Sequence, residues 1–299
     1  MFCDKLPRIT NMWSKVVDGD EGKWLSKIVI ESTKPFAYSA KSDNGLLSVE
    51  GKGVIVNMPE GTIEVNDGLL REIRIRQDGP DNASVTAVLE YPAESQLSAV
   101  EGFPFRLEIK LDRAFITGLF EGKRIVIDPG HGGKDVGGVG LVGLLEKDVV
   151  LPMAVNLEKT LRRAGADVVL TRSRDEDVSL EERLELAKRP GIHAYIGVHT
   201  KTSPDRDIDG ISTLYSPSNA QSAILARLVQ DQLVNKLKAG DRGISEQVEL
   251  APLAAIPAIE AEILAITNLV EEVFLRGLTV RKKAAEGIFN GLIKYFAQT

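Results

Sequence analysis

The chain has 299 residues, of which 43% are hydrophobic and 27% charged, and carries a net charge of −6 at pH 7. That length favours two domains with a sizeable core, and so ordinary a composition excludes a disordered or low-complexity chain. The acidic balance, with no basic patch to offset it, argues against nucleic acid as a partner and against bulk electrostatic binding to an anionic membrane.

The single cysteine, Cys3, excludes an internal disulfide and a cysteine-based zinc site, and its place near the terminus makes it a poor catalytic thiol. No stretch approaches the 18 or so consecutive apolar residues of a membrane span. The opening MFCDKLPRITNMW lacks the apolar centre of a secretory leader. As written the chain reads as soluble, and action outside the cell would require a leader that this sequence does not display.

From about Trp24 to Asp112, the runs WLSKIVIES, GLLSVEG, GVIVNMP, LREIRIRQ, SVTAVLEYP and FRLEIKLD alternate between apolar and polar residues. Turn-rich breaks such as KSDNG, NMPEG, VNDG and QDGPDN separate them. This pattern predicts short strands spaced as in a β-sandwich. RAFITGLFEGK reads as a linker, and the boundary is placed near Leu119, giving an all-β, sandwich-like domain over 1–118 and an α/β domain over 119–299. In the second, a twisted, mostly parallel sheet flanked by helices is expected. Its strands are predicted at Arg124–Ile127, Asp167–Leu170, Ala194–Val198, Ile211–Leu214 and Ala258–Ile263. Helices are predicted at Lys147–Arg163, Asn219–Lys238 and Val280–Phe296, and a capping box of Ser179 and Glu182 opens another in SLEERLELAK.

Two of the three histidines, His131 and His199, follow the apolar runs RIVIDPG and AYIGV directly. Strand ends and the loops after them form the ligand crevice of open α/β sheets, so these two imidazoles can converge. His193 precedes its strand and is expected at the opposite edge. Two imidazoles make an incomplete zinc site, and a catalytic one adds a carboxylate and leaves a position for water. Glu146, 15 residues after His131 at the end of a glycine-rich loop and the start of a helix, is the candidate. Zinc held there would bring the pKa of its water from about 15.7 to about 7. A further carboxylate, off the metal, is needed to move the water's proton. In IPAIEAEILAIT, Glu260 and Glu262 share one strand face, and periodicity does not choose between them.

The plainer readings are a hydrogen-bonded structural histidine and a simple glycine turn or phosphate loop. The spacing matches neither GxGxxG nor a P-loop, and Asp128 and Asp135 would repel phosphate.

Taken in order, IVIDPGHGGKD, EKDVVLPMAVNLEKTLRRAGADVVLTR, SLEERLELA, IGVHT and IPAIEAEI resemble the zinc-dependent N-acetylmuramoyl-L-alanine amidases of the amidase-3 family, over about residues 123–297. The resemblance implies Zn2+ held by His131, Glu146 and His199, with Glu262 rather than Glu260 as the catalytic glutamate that activates the zinc-bound water. It implies cleavage of the amide joining N-acetylmuramic acid to L-alanine in peptidoglycan, and an extracytoplasmic, cell-wall or secreted location. The glycines beside His131 are expected to let an extended glycopeptide approach. Arg183 matches a family arginine and is expected to form a structural ion pair.

The sequence also departs from the family pattern. GVHTK replaces SIHAN, putting Gly197 and Lys201 at a serine and an asparagine position; EILAITN replaces ELGFLSN, putting Leu264 and Ala265 at a glycine and an aromatic position; Lys188 stands where AN is usual. These changes bear on the substrate groove and motivate the alternative, a wall-binding protein with weakened or lost catalysis. Between His199 and Arg242 lie 42 residues, room for one strand and one helix but not for the extra segment by which some relatives cover the zinc. On GLLREIRIRQ and FRLEIKLDR, the N-terminal region resembles the AMIN domains that place such amidases on the wall. That likeness implies a cell-wall or divisome partner, with a plain structural domain as the alternative.

Overall fold

The computed structural model describes residues 6–299, so Cys3 lies outside the described residues. The chain divides into two compact units, Met1–Thr117 and Gly118–Thr299.

The first unit is strand-rich, with β1 (Arg8–Asp18), β2 (Trp24–Ser32), β3 (Ala37–Asp43), β4 (Leu46–Lys52), β5 (Ile55–Val56), β6 (Gly61–Glu64), β7 (Leu70–Gln77), β8 (Asn82–Leu89), β9 (Ser95–Val100) and β10 (Phe105–Asp112). They form two five-stranded sheets, ordered β5-β1-β2-β10-β9 and β3-β4-β8-β7-β6. Alternation sets the buried face: Leu47 and Val49, Ile73 and Ile75, Ala83 and Val85 are buried while the residues between them face outward. Asn44 and Gly45, both at positive φ, turn β3 into β4, as Asn-Gly does in tight hairpins. The expected linker is instead partly helical, as α1 (Ala114–Phe120).

The second unit continues with β11 (Arg124–Pro129), α2 (Glu146–Arg163), β12 (Asp167–Leu170), α3 (Leu180–Ala187), β13 (Ala194–Lys201), β14 (Ile211–Tyr215), α4 (Ala220–Leu237), β15 (Asp241–Glu246), β16 (Ala258–Ala265), α5 (Leu269–Leu275) and α6 (Leu278–Phe296). Its six strands are ordered β12-β11-β13-β16-β14-β15. Every neighbouring pair is parallel except β14 with β16. The segment between His199 and Arg242 is used by β14 and α4, as its length implied.

The central strands β13 and β16 have apolar residues turned to one face, with Ile196, Val198, Ile259, Ala261 and Ile263 fully buried. Helices α2, α4 and α6 pack together on the sheet. On the opposite side, Val126, Tyr195 and Ala258 pack with Leu184 and Ala187 of α3. By strand alternation, Gly197, His199, Glu260 and Glu262 share that second face near the strands' C-terminal ends. Register places Gly197 opposite Glu260 and His199 opposite Glu262.

Candidate active site

Three elements bring the predicted ligands together. His131 lies in the turn after β11, Glu146 is the first residue of α2, and His199 stands near the end of β13. One ligand atom from each can be chosen so that all lie within 4.8 Å of one another, a cluster that could hold a metal ion. His131 Nε2 is 3.3 Å from Glu146 Oε2, and His199 Nδ1 is 3.4 Å from Glu146 Oε1. Two donors each about 2.0–2.1 Å from a tetrahedral ion stand roughly 3.3–3.4 Å apart, so these separations suit one.

Glu146 is 2% exposed and its carboxylate accepts backbone N–H groups from Gly138 at 2.8 Å and Thr200 at 2.7 Å. Burial opposes its ionisation, but hydrogen bonds from His131 and His199 outweigh that and hold its carboxyl well below the usual range. The imidazoles respond in kind. Hydrogen bonding to Glu146 raises His131. Burial works against His199, yet Glu260 and Glu146 push it up to about 9. A cation bound there would compete with protons for the two imidazoles.

His131 has φ of 59°, an uncommon conformation for a residue with a side chain, and its surroundings enforce it. Two buried arginines grip the turn. Arg172 donates to the carbonyls of Pro129 at 2.9 Å and Gly130 at 2.8 Å, and Arg183 donates to those of Pro129 at 2.9 Å and His131 at 2.8 Å. Arg183 also pairs with buried Asp128, which further accepts from Thr171 and Tyr195 hydroxyls. Arg183 is thus an ion-pair former, as expected, and one that shapes the turn. Sequence reasoning assigned no role to Arg172, whose only signal was an arginine two residues beyond a strand end.

Both glutamates of β16 line the same cleft of roughly 560 Å³ as His131, Glu146 and His199. Glu262 is held: Lys201 Nζ stands 3.1 Å from each carboxylate oxygen, and the Ser212 hydroxyl donates to Oε2. Glu260 faces His199, with Oε2 3.9 Å from Nε2, and burial raises its pKa. Of the altered positions, Lys201 reaches the site. Leu264 does not. It is 4% exposed with φ of 62°, at the irregularity where His199 pairs with Glu262 but Lys201 with Ala265. Lys188 pairs with Glu185 on the surface.

The missing side chains of the glycines make room for the protein itself. A Cβ on Gly130 would stand 2.1 Å from His199 Cε1, and one on Gly132 would stand 2.4 Å from the Glu176 carbonyl oxygen. His193 sits at the other end of the sheet, where its Nδ1 accepts the Arg124 N–H at 3.0 Å.

Residues 125–294 match the family described as N-acetylmuramoyl-L-alanine amidase, Amidase_3. The chain is 34% identical over 181 residues to the uncharacterized protein YqiI of Bacillus subtilis, covering 60% of this chain and 87% of that protein. It is 33% identical over 178 residues to the N-acetylmuramoyl-L-alanine amidase LytC of the same organism, covering 58% of this chain but 36% of LytC. The solved structure of the amidase AmiC2 of Nostoc punctiforme aligns with a TM-score of 0.55 at 32% identity, over 60% of this chain and 99% of that one.

Proposed function

Because this chain belongs to the Amidase_3 family of N-acetylmuramoyl-L-alanine amidases, we propose that it is a zinc-dependent peptidoglycan hydrolase cleaving the amide between N-acetylmuramic acid and the L-alanine of the stem peptide. The observation that carries the reading is the convergence of His131, Glu146 and His199 at the ends of β11 and β13, with Glu262 opposite His199 in the sheet. One carboxylate and two imidazoles are the donor set of a catalytic zinc site, and their spacing suits that ion. Zinc bound there supplies a Lewis acid for the scissile carbonyl and lowers the pKa of water to about 7.

The protein's own groups do the rest. Glu262 accepts the proton of the attacking water and passes it to the departing L-alanine amine, restoring the carboxylate. Lys201 and Ser212 fix its orientation, so it meets the substrate in one position. His131, Glu146 and Arg183 line the cleft, and Arg172 with Arg183 holds the turn that carries His131.

The ion pair between Lys201 and Glu262 favours a second reading, in which the chain binds wall and cleaves little, because the ammonium and the Ser212 hydroxyl already occupy the carboxylate oxygens that an attacking water would need. The two separate on purified peptidoglycan. The amidase releases stem peptide with zinc present, loses activity to a chelator and regains it when zinc is returned. Zinc bound with no release, on several wall types and at several pH values, overturns the amidase in favour of the binding protein.

The strand-rich first unit is read as an AMIN-like sandwich that holds the enzyme on the wall, outside the cytoplasm. Its two five-stranded sheets support that reading. Among the described residues no helix is long and apolar enough to cross a membrane.

A further inference from the structure

Glu260 has no task in the reaction above, yet it is costly where it lies. Its side chain is 18% exposed, and among the described residues no group hydrogen-bonds its carboxylate, a condition that leaves a desolvated charge uncompensated. Glu262, two residues on, is held by Lys201 and Ser212. The one group facing Glu260 at ion-pair distance is the His199 imidazole.

The ring orientations explain why a carboxylate belongs there. A neutral imidazole offers one lone pair and one N–H, and a metal takes the lone pair. The other nitrogen must then carry the hydrogen, and in a buried site that N–H needs an acceptor. At His131, Nε2 faces Glu146 while Nδ1 lies 2.8 Å from Asp135 Oδ2. At His199 the two nitrogens are used the other way round. Nδ1 faces Glu146 at 3.4 Å, and Nε2 faces Glu260. Each ring therefore has its inner nitrogen toward the shared Glu146 and its outer nitrogen toward a carboxylate of its own.

We propose that Glu260 is the outer partner of His199, accepting from Nε2–H and so fixing Nδ1 as the nitrogen offered to the metal, as Asp135 does in mirror fashion for His131. The assignment rests on reading His131, Glu146 and His199 as a metal site. Glu260 is a positioning residue, acting through His199 and not on substrate. The two atoms stand 3.9 Å apart, so the proposed hydrogen bond requires them to approach by about 1 Å when the metal is bound. The sheet makes space for it: Gly197 lies opposite Glu260, and a Cβ there would stand 3.2 Å from Glu260 Cγ. Glycine at 197 and glutamate at 260 are thus two parts of one device. Carboxylates placed behind metal-bound histidines strengthen the ligand, and their loss typically costs 10–100-fold in metal affinity.

The test uses the full chain loaded with zinc. With three histidines in all, 15N-labelled imidazoles can be assigned one by one. His199 is expected to show a metal-bound Nδ1 and a protonated Nε2, and His131 the reverse pattern. Zinc affinity, measured by competition with a chelator, is expected to fall about 10–100-fold in Glu260→Leu, which keeps bulk without an acceptor. Glu260→Gln, which keeps a neutral acceptor, is expected to lose less and to retain the His199 tautomer. A parent chain that binds zinc through His199 Nε2, or a folded Glu260→Leu within twofold of the parent's affinity, would overturn the Glu260 assignment alone. A parent that binds no zinc would overturn the metal site with it.

Discussion

At the scale of single residues, the account separates the groups that hold the metal from the group that moves the proton. Removing the His131 imidazole opens the donor set, so His131→Ala should lose zinc and activity together. Among the described residues Glu262 pairs with Lys201 and with none of the three ligands, so Glu262→Ala should keep zinc while stem-peptide release drops by about 10²–10⁴. Metal content and release assayed on the same samples check both, and an active Glu262→Ala variant contradicts the role given to it. His131, His199 and Glu146 were legible because each sits where a strand ends or a helix begins, a position that apolar runs reveal. Lys201 was visible as a departure, but its pairing with Glu262 was not, since the contact crosses 61 positions and depends on strand register. Periodicity put Glu260 and Glu262 on one face and stopped there. Their different neighbours, an imidazole for one and an ammonium with a hydroxyl for the other, are properties of the packed sheet.

At the scale of elements, the loop between β11 and α2 depends on a helix that pattern reading missed. Helix α5 has seven residues, capped by Asn268, whose side chain accepts from Val270 and Glu271 N–H groups. Although LVEEVFL carries two adjacent acids, Glu271 and Glu272 both turn inward. Glu272 is fully buried and accepts the backbone N–H groups of Val142 and Leu144 while pairing with Arg276. Glu272→Ala leaves two donors without an acceptor at about 1–3 kcal/mol each, so an overall loss of about 2–6 kcal/mol is expected in urea denaturation. Burial works against ionisation of Glu272, but the Val142 and Leu144 N–H groups and Arg276 prevail and lower its pKa. A carboxyl depressed in the folded state stabilises fully above its unfolded value, about 4.3, and loses that contribution as pH falls through the folded value. The stability gap between the parent and Glu272→Gln should therefore be widest near neutral pH and close below about pH 4. A gap that widens in acid contradicts the clamp. The strands missed by sequence, β1, β3, β6, β9 and β15, share a physical cause: β3 is exposed throughout, β6, β9 and β15 bury no residue, and β1 buries only Ile9 and Met12, so none carries the alternation that marked β2, β4, β7 and β10.

At the scale of the whole molecule, every residue assigned to binding metal or moving protons lies within Gly118–Thr299. A fragment of residues 118–299 keeps Phe120, which stacks on Phe289 and meets Phe296 edge-on. It should fold, bind zinc and cleave soluble muropeptide at a rate near that of the full chain, yet be retained less on purified wall. Equal retention in a sedimentation assay would remove the targeting role from the first unit. The change from period-two runs to alternating strands and helices made a strand-rich region and a layered α/β region readable from sequence, because each imposes its own spacing. The antiparallel β14 was not foreseen, since direction leaves no mark on a strand's composition. The central claim is the bond that is cut, and mass spectrometry of products from purified peptidoglycan, digested by the zinc-loaded chain, measures it. The account predicts stem peptides with a free L-alanine amine alongside glycan strands whose muramic acid retains its lactyl carboxyl. Fragments cut between amino acids, with L-alanine still joined to the glycan, would contradict it.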